Sequence, residues 1–450
     1  MKFETDRLGY AFSGDYPESY GPDDTARLRT VLQQQIGQLG HGGATADDLL
    51  LGILIGRRCA NGQRAQIEPR SRRDGRLCLV ARGEIVLPAA EATAVRDLLR
   101  DFEPQPPGDT KPGAHLRMRQ RAVAASEVDR VIDACAAEKV SAWPNYLAAL
   151  AAVSKGVGGP EPAPSPGQQD ALFAAAAPTG ECGVVRVAVI DTGIPSDLRD
   201  DGWLTDVPRT PDNIDPLDML PAGPDGLLDY QAGHGTFVAG VVQRVAPRAE
   251  IRMYRAADSD GFATDHDIAE AILRAHHDGA QIINLSLGGR TVDDQPPPAT
   301  AEAVAMVQRE TGGGTVIVAA AGNYGDRSRV WPAALPGVEA VAGLTAYLTP
   351  SAWSSYGPDV RFSTVGEGIR STFVTGTESP VFDPSPDVFG DDAWAMWSGT
   401  SFAAPQIAGA VARISYEEGL APRAAVDKLD AYGKPIAGFG KAMRVLKGLD

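Results

Sequence analysis

From residue 184 onward, short and almost wholly apolar runs alternate with amphipathic ones: "VVRVAVID", "GTFVAGVVQRV", "EIRMYRA", "DHDIAEAILRAHHDG", "AQIINLSLGG", "TAEAVAMVQRETG", "GTVIVAAAGN" and "VEAVAGL". Strands apolar on both faces, each followed by a helix, predict an α/β fold: a doubly wound parallel sheet with helices on both faces. Ligands of such sheets sit at the carboxyl ends of the strands, so the residues just after each strand are the ones to inspect. Upstream the pattern differs. Residues 23–39, 45–55, 89–102 ("AAEATAVRDLLRDF"), 126–140 and 142–153 ("AWPNYLAALAAV") read as helices, and "RLCLVARGEIVL" reads as a hairpin of two strands. A smaller, mixed but mainly helical N-terminal domain over residues 1–155 is therefore expected. It is followed by a Pro/Gly/Ala-rich linker over 156–180, densest in "SKGVGGPEPAPSPGQQ", and by a second domain over 181–450.

The strand ends carry chemistry. Asp191 closes "VAVID" before Thr-Gly, His234 opens a helix in "GHGTFVAG", and Asn323 follows a strand in "AAAGNYG". Ser401 lies at the seam between the turn "WSGT" and the apolar run "SFAAPQIAGAVA", where helical N–H groups and the positive end of a helix dipole gather. Each residue has a plain structural use: Asp191 can close a turn, His234 and Ser401 can cap helices, and Asn323 can occupy a left-handed turn. Together they are the nucleophile, base, orienting carboxylate and oxyanion donor of acyl transfer.

On the strings DTG, GHGT, AAGN and GTSFAAP, and on the order Asp, His, Ser, the segment of about residues 180–415 resembles the subtilisin-like serine peptidases. The resemblance implies a triad of Asp191, His234 and Ser401, with Asn323 and the Ser401 backbone N–H as oxyanion hole. It also implies a substrate-pairing edge at Ser286, Leu287, Gly288 and Gly289, and a primary specificity pocket near Ala320, Ala321, Gly322 and Val330. Val330 falls where many relatives carry Gly, which shortens that pocket. The implied substrate is a protein or peptide, cut through an acyl-enzyme with no cofactor or metal in the chemistry. The same acyl-enzyme serves a peptide ligase or macrocyclase, and a protein that binds peptides without cutting is the reading from another class.

Two further departures from secreted relatives stand out. After "GHGTFVAGVVQR" the chain runs directly into "VAPRAEI", without the loop that supplies most of a tight calcium cage in those enzymes. Acidic, proline-rich insertions at 201–230 and 374–393 precede His234 and Ser401 and are expected to rim the cleft. Residues 1–166 hold 21 basic and 21 acidic side chains, so the net charge of −16 comes from the remainder. That balance speaks against nucleic acid or an anionic membrane as partner. It also lets the arginine-rich run 57–76, "RRCANGQRAQIEPRSRRDGR", dock onto the acidic part, where residues 1–155 are expected to restrain the peptidase as propeptides of the family do. The start "MKFETDRLGYAF" lacks the pattern of a secretory signal, no apolar stretch is long enough to cross a bilayer, and the four cysteines are scattered. A cytoplasmic location is expected.

Overall fold

The computed structural model describes residues 3–6, 9–12, 26–27, 30, 44–62, 64–104, 115–120, 126–150, 159–166, 184–383, 385–446 and 448. Its N-terminal elements are β1 (Phe3–Asp6), β2 (Gly9–Phe12), α1 (Ala44–Asn61), β3 (Ile67–Ser71), β4 (Leu77–Pro88), β5 (Phe102–Pro104), β6 (His115–Gln120), α2 (Ser126–Ala137) and β7 (Trp143–Leu150). Next come β8 (Glu161–Ala163), β9 (Arg186–Asp191), α3 (His234–Val245), β10 (Glu250–Arg255), β11 (Phe262–Thr264), α4 (Asp265–His277), β12 (Ile282–Leu285), β13 (Leu287–Gly288), α5 (Pro298–Thr311), β14 (Val316–Ala320), β15 (Val338–Leu344) and β16 (Val360–Val365). The chain ends through β17 (Ile369–Thr372), β18 (Gly376–Thr377), β19 (Val388–Phe389), β20 (Trp394–Trp397), α6 (Thr400–Glu418), α7 (Pro422–Tyr432), β21 (Lys434–Ile436) and β22 (Gly440–Ala442).

The central sheet has the order β10-β9-β12-β14-β15-β16-β22-β21 and is parallel except for β21. Alternation along each strand fills two cores. Val187 and Val189 of β9 point with Ile282, Val316 and Val318 toward α3 and α6, while Ala188 and Ile190 point with Ile283, Ile317 and Ala319 toward α4 and α5. The doubly wound expectation holds. Helix α3 runs unbroken from His234 to Val245, and only four residues separate it from β10.

The N-terminal region departs from expectation. Among its described residues more lie in strands than in helices: β1 and β2 pair as a separate hairpin, and β3 to β7 join β11 and β13 in one antiparallel sheet ordered β11-β7-β4-β6-β5, with β3 on β4 and β13 on β7. The expected hairpin 76–87 is the single strand β4. Gly83, at φ 73°, sits where the register shifts between Val80 and Ile85, so it makes a bulge rather than a turn. Residues 89–101 form successive turns instead of a helix. The Ala- and Leu-rich stretch 142–153 was expected as a helix but is strand β7 over 143–150, because β4, β11 and β13 supply backbone partners that outweigh local propensity. The expected linker 156–180 is interrupted as well: Glu161–Ala163 pairs antiparallel with Trp394–Met396 of β20. Most of the expected helix 23–39 and residues 167–183 lie outside the described residues.

Candidate active site

Strand β9 ends on Asp191, α3 begins on His234 and Ser401 is the second residue of α6, so the parallel sheet delivers all three to one rim. Asp191 Oδ1 lies 2.7 Å from His234 Nδ1 and also accepts the Thr192 N–H at 2.8 Å. All three side chains are fully buried. The imidazole packs against Phe402, 5.4 Å between ring centroids, and edge-on to Trp397 at 5.6 Å. The ring is thus fixed by a carboxylate on one side and an apolar wall on the other, and its Nε2 has no hydrogen-bond partner among the described residues. The Ser401 hydroxyl donates to the Ser286 carbonyl at 2.8 Å, and the Ser286 hydroxyl returns a bond of 2.8 Å to the Ser401 carbonyl.

Asn323 stands three residues beyond β14. Its Oδ1 accepts the Thr400 N–H at 3.1 Å and the Thr400 hydroxyl at 2.9 Å. Those bonds fix the orientation of the amide next to Thr400, the neighbour of Ser401, and leave Nδ2 buried without a partner among the described residues.

Asp215 was not singled out in the sequence. It falls in the stretch 201–230 expected at the cleft rim, yet it lies buried under the turns that follow Asp191 and precede His234. Its Oδ2 accepts the Thr192 hydroxyl at 2.7 Å and the Gly233 N–H at 3.0 Å, and its Oδ1 accepts the Leu217 N–H at 3.1 Å. Thr192 Oγ1 in turn accepts the Gly235 N–H at 3.0 Å. One carboxylate therefore ties the turn after Asp191 to the turn around His234. Burial pushes its pKa up to about 6, against the pull of these donors. The two insertions also touch: the Leu228 N–H donates to the Thr377 carbonyl at 2.8 Å, and just past the second insertion Trp394 meets Trp203 edge-on at 5.1 Å and donates Nε1 to Asp201.

Of the expected substrate edge, Leu287 and Gly288 form β13, and Gly289 exchanges backbone bonds of 2.9 Å with Trp331. Val330, 3% exposed, packs against two glycines. A Cβ on Gly288 would lie 2.5 Å from Val330 Cγ1, and one on Gly322, at φ 98°, 3.0 Å from Cγ2. Ala320 closes β14 with its carbonyl near Gly288, and the Ala321 N–H donates to the Val341 carbonyl. Strand β7 occupies the edge: Ala149 pairs with Gly288 on one side and with Phe262 on the other, and the Leu150 N–H donates 2.9 Å to Gly261. Strand β11, the second wall of this slot, had no signal of its own beyond the Gly in "SDGFAT".

The same motifs are those of a described family, whose model, "Subtilase family", matches residues 183–426. The chain belongs to the subtilase family. A thermostable alkaline protease of Halalkalibacterium halodurans is 30% identical over 240 residues, 51% of this chain and 56% of its own length. A thermophilic serine proteinase of Bacillus sp. strain AK1 is 34% identical over 234 residues, 51% of this chain and 52% of its own. Thermitase of Thermoactinomyces vulgaris is 31% identical over 241 residues, 50% of this chain and 72% of its own. This subtilase spans about half the length of the first two relatives. The solved structure of an epidermin leader peptide processing serine protease from Staphylococcus aureus is similar in fold, with a TM-score of 0.56 at 17% identity over 82% of this chain and 98% of that one. No described helix is long and apolar enough to cross a membrane.

Proposed function

We propose that this subtilase is a serine endopeptidase of restricted specificity whose N-terminal region restrains it. The observation that carries the catalytic part is the pair of unused buried polar atoms, His234 Nε2 and Asn323 Nδ2, together with Ser401 in the first turn of α6, whose Thr400 holds the Asn323 amide. A substrate strand added to the edge at β13 brings an N–H to the Ser286 carbonyl and displaces the Ser401 hydroxyl, which turns to His234 Nε2. His234 takes the proton as Oγ attacks the peptide carbonyl, and Asp191 stabilises the imidazolium. Asn323 Nδ2 and the Ser401 N–H hold the oxyanion. The imidazolium then gives its proton to the leaving amine, and water releases the acyl group by the reverse sequence. Val330 narrows the pocket beside Gly288 and Gly322, so small side chains are preferred at the scissile bond.

The restraint is supported by β7, which lies antiparallel between β11 and β13 as a substrate strand would, and by the ion pairs of the arginine-rich run. Arg57 meets Asp229, Arg58 meets Asp258 and Asp260, Arg72 meets Asp294, and Arg76 meets Asp326. We take residues 1–155 as the restraining unit and 181–450 as the peptidase. Free thiols at Cys59, Cys78 and Cys135 fit a reducing, intracellular setting.

A fluorophosphonate probe tests the reading: it is expected to label Ser401 once residues 1–150 are displaced, and Ser401→Ala should lose labelling and about a millionfold in peptide cleavage. Incubation of the full chain should yield a new N-terminus within residues 151–158 by mass spectrometry, absent in Ser401→Ala. Cleavage by Ser401→Ala at a hundredth of the parent rate would overturn the assignment.

A further inference from the structure

A cavity of 290 Å³ lies where the N-terminal region meets the peptidase part, and six arginines line it. Arg58 and Arg64 come from α1 and the turn after it, Arg117 and Arg119 from β6, Arg255 from the end of β10 and Arg274 from α4. Four of the six are matched. Arg58 Nε and Nη2 bind Asp260 at 2.5 and 2.7 Å, Arg58 and Arg64 share Asp258, and Arg117 and Arg119 converge on Glu84, with Arg117 also 3.2 Å from Asp267.

Arg255 and Arg274 are different. Among the described residues neither meets a carboxylate. Arg255 Nη1 has only the Ile214 carbonyl at 3.4 Å, Arg274 Nη2 only the Arg255 carbonyl at 3.4 Å, and Arg274 Nε is buried without a partner. Two half-buried guanidinium groups facing one polar cavity repel each other and leave donors unused, a cost that an anion between them removes.

Asp267 and Glu270 of the lining lie with His266, outside it, in a group whose ligand atoms are within 4.8 Å of one another. A cation there would have to displace Arg117 from Asp267 and sit in the cavity that Arg255 and Arg274 face without carboxylate partners, which disfavours it.

We propose that this cavity is a binding site for a small, multiply charged oxyanion of the phosphate type, held by Arg255 and Arg274 with Arg64 and Arg119 opposite. Guanidinium forks match tetrahedral oxyanions by paired hydrogen bonds, and the volume is at the low end for small-molecule sites, about 300–1,000 Å³. The ligand touches both sides of the junction, so it binds only the docked arrangement and stabilises it. Phe262 and Thr264 of β11 also line the cavity, with β7 paired to that same strand. The anion should therefore slow the release of β7. This consequence rests on the restraint proposed above, whereas the binding itself does not.

The test uses the full chain carrying Ser401→Ala, so that no processing intervenes. Inorganic pyrophosphate is titrated by calorimetry and thermal unfolding, with sulfate, citrate and sodium chloride at matched ionic strength. Saturable binding is expected for pyrophosphate, with weaker binding of sulfate and no effect of chloride beyond screening. The double variant Arg255→Gln/Arg274→Gln should bind about 10- to 100-fold more weakly, as loss of charge-assisted bonds implies. Its anion-free melting temperature reports whether it folds; if it does not, Arg274→Lys, which keeps the charge and loses the fork, should weaken pyrophosphate more than sulfate. No saturable effect over the chloride control, or equal binding by a folded double variant (an adventitious ion only), overturns the site. In the parent chain pyrophosphate should delay the new N-terminus. Binding without delay would overturn the regulatory consequence alone, and fluorophosphonate labelling reports on the peptidase reading separately.

Discussion

At the scale of single residues, Asp215 separates stability from catalysis. Its pKa of about 6 lies above the usual carboxylate value, so its contribution to stability is fully present below about pH 4 and is lost as pH rises through 6, about 3 kcal/mol in all. Asp215→Asn has no proton to exchange and should flatten the dependence of melting temperature on pH between 4 and 6. It should also lower kcat by about 10- to 100-fold with KM nearly unchanged, since an amide cannot accept the Leu217 N–H and the Thr192 and Gly233 bonds at full strength. A parental kcat in this variant would show that the carboxylate does not position the triad. Val330 is the second residue with a readable role. Val330→Gly should enlarge the pocket beside Gly288 and Gly322 and raise kcat/KM for large side chains at the scissile bond relative to alanine, as measured on a peptide library. An unchanged preference would place the pocket elsewhere.

At the scale of elements, β7 joins the two parts of the molecule. Its Leu147, 2% exposed, packs in a cluster with Leu54 of α1, Tyr230, Phe262 and Phe382. Shortening it removes buried apolar contact across the junction while leaving the backbone ladder to β11 intact. Leu147→Ala should weaken docking by about 2–5 kcal/mol and bring on peptidase activity earlier than in the parent, followed with a fluorogenic peptide. An activation time equal to the parent's would mean that β7 does not limit access. The strand also marks the boundary of what local pattern can reveal. Trp143–Leu150 is rich in alanine and leucine, good helix formers, and its strand state comes from donors and acceptors on β4, β11 and β13 that are remote in sequence. Strand β9, by contrast, is β-branched and apolar on both faces and was legible from its own composition.

At the scale of the whole molecule, opposite charges meet where the N-terminal region packs on the rest. The balanced N-terminal region places its arginines against an acidic partner, and Arg58 is buried at 1% exposure between Asp258 and Asp260. Removing one member of a buried ion group leaves the others uncompensated. Arg58→Ala should therefore cost about 3–5 kcal/mol of docking, measured as a lower melting temperature of the full chain and earlier activation. Arg73, 91% exposed beside Asp293, is the control: Arg73→Ala should change the melting temperature by a small fraction of that, because solvent screens its pair. Equal effects of the two variants would show that the buried cluster is not what holds the parts together.

By itself the sequence determined the doubly wound sheet, the helix carrying Ser401 and the positions of Asp191, His234 and Asn323 at strand ends and helix starts. Each of these is local: a strand buried on both faces must be apolar throughout, and a turn that exposes a side chain at the end of such a strand needs the small residues that flank it. The sequence also marked the arginine-rich run as a docking surface, since charge imbalance is visible in composition. Only the tertiary structure decided which acid each arginine meets, that Asp215 lies beneath the turns carrying Asp191 and His234, and that residues 143–150 are a strand paired with β4, β11 and β13. Hydrogen bonds and ion pairs between distant segments carry no periodic signature, because the partner's position is set by how the whole chain packs.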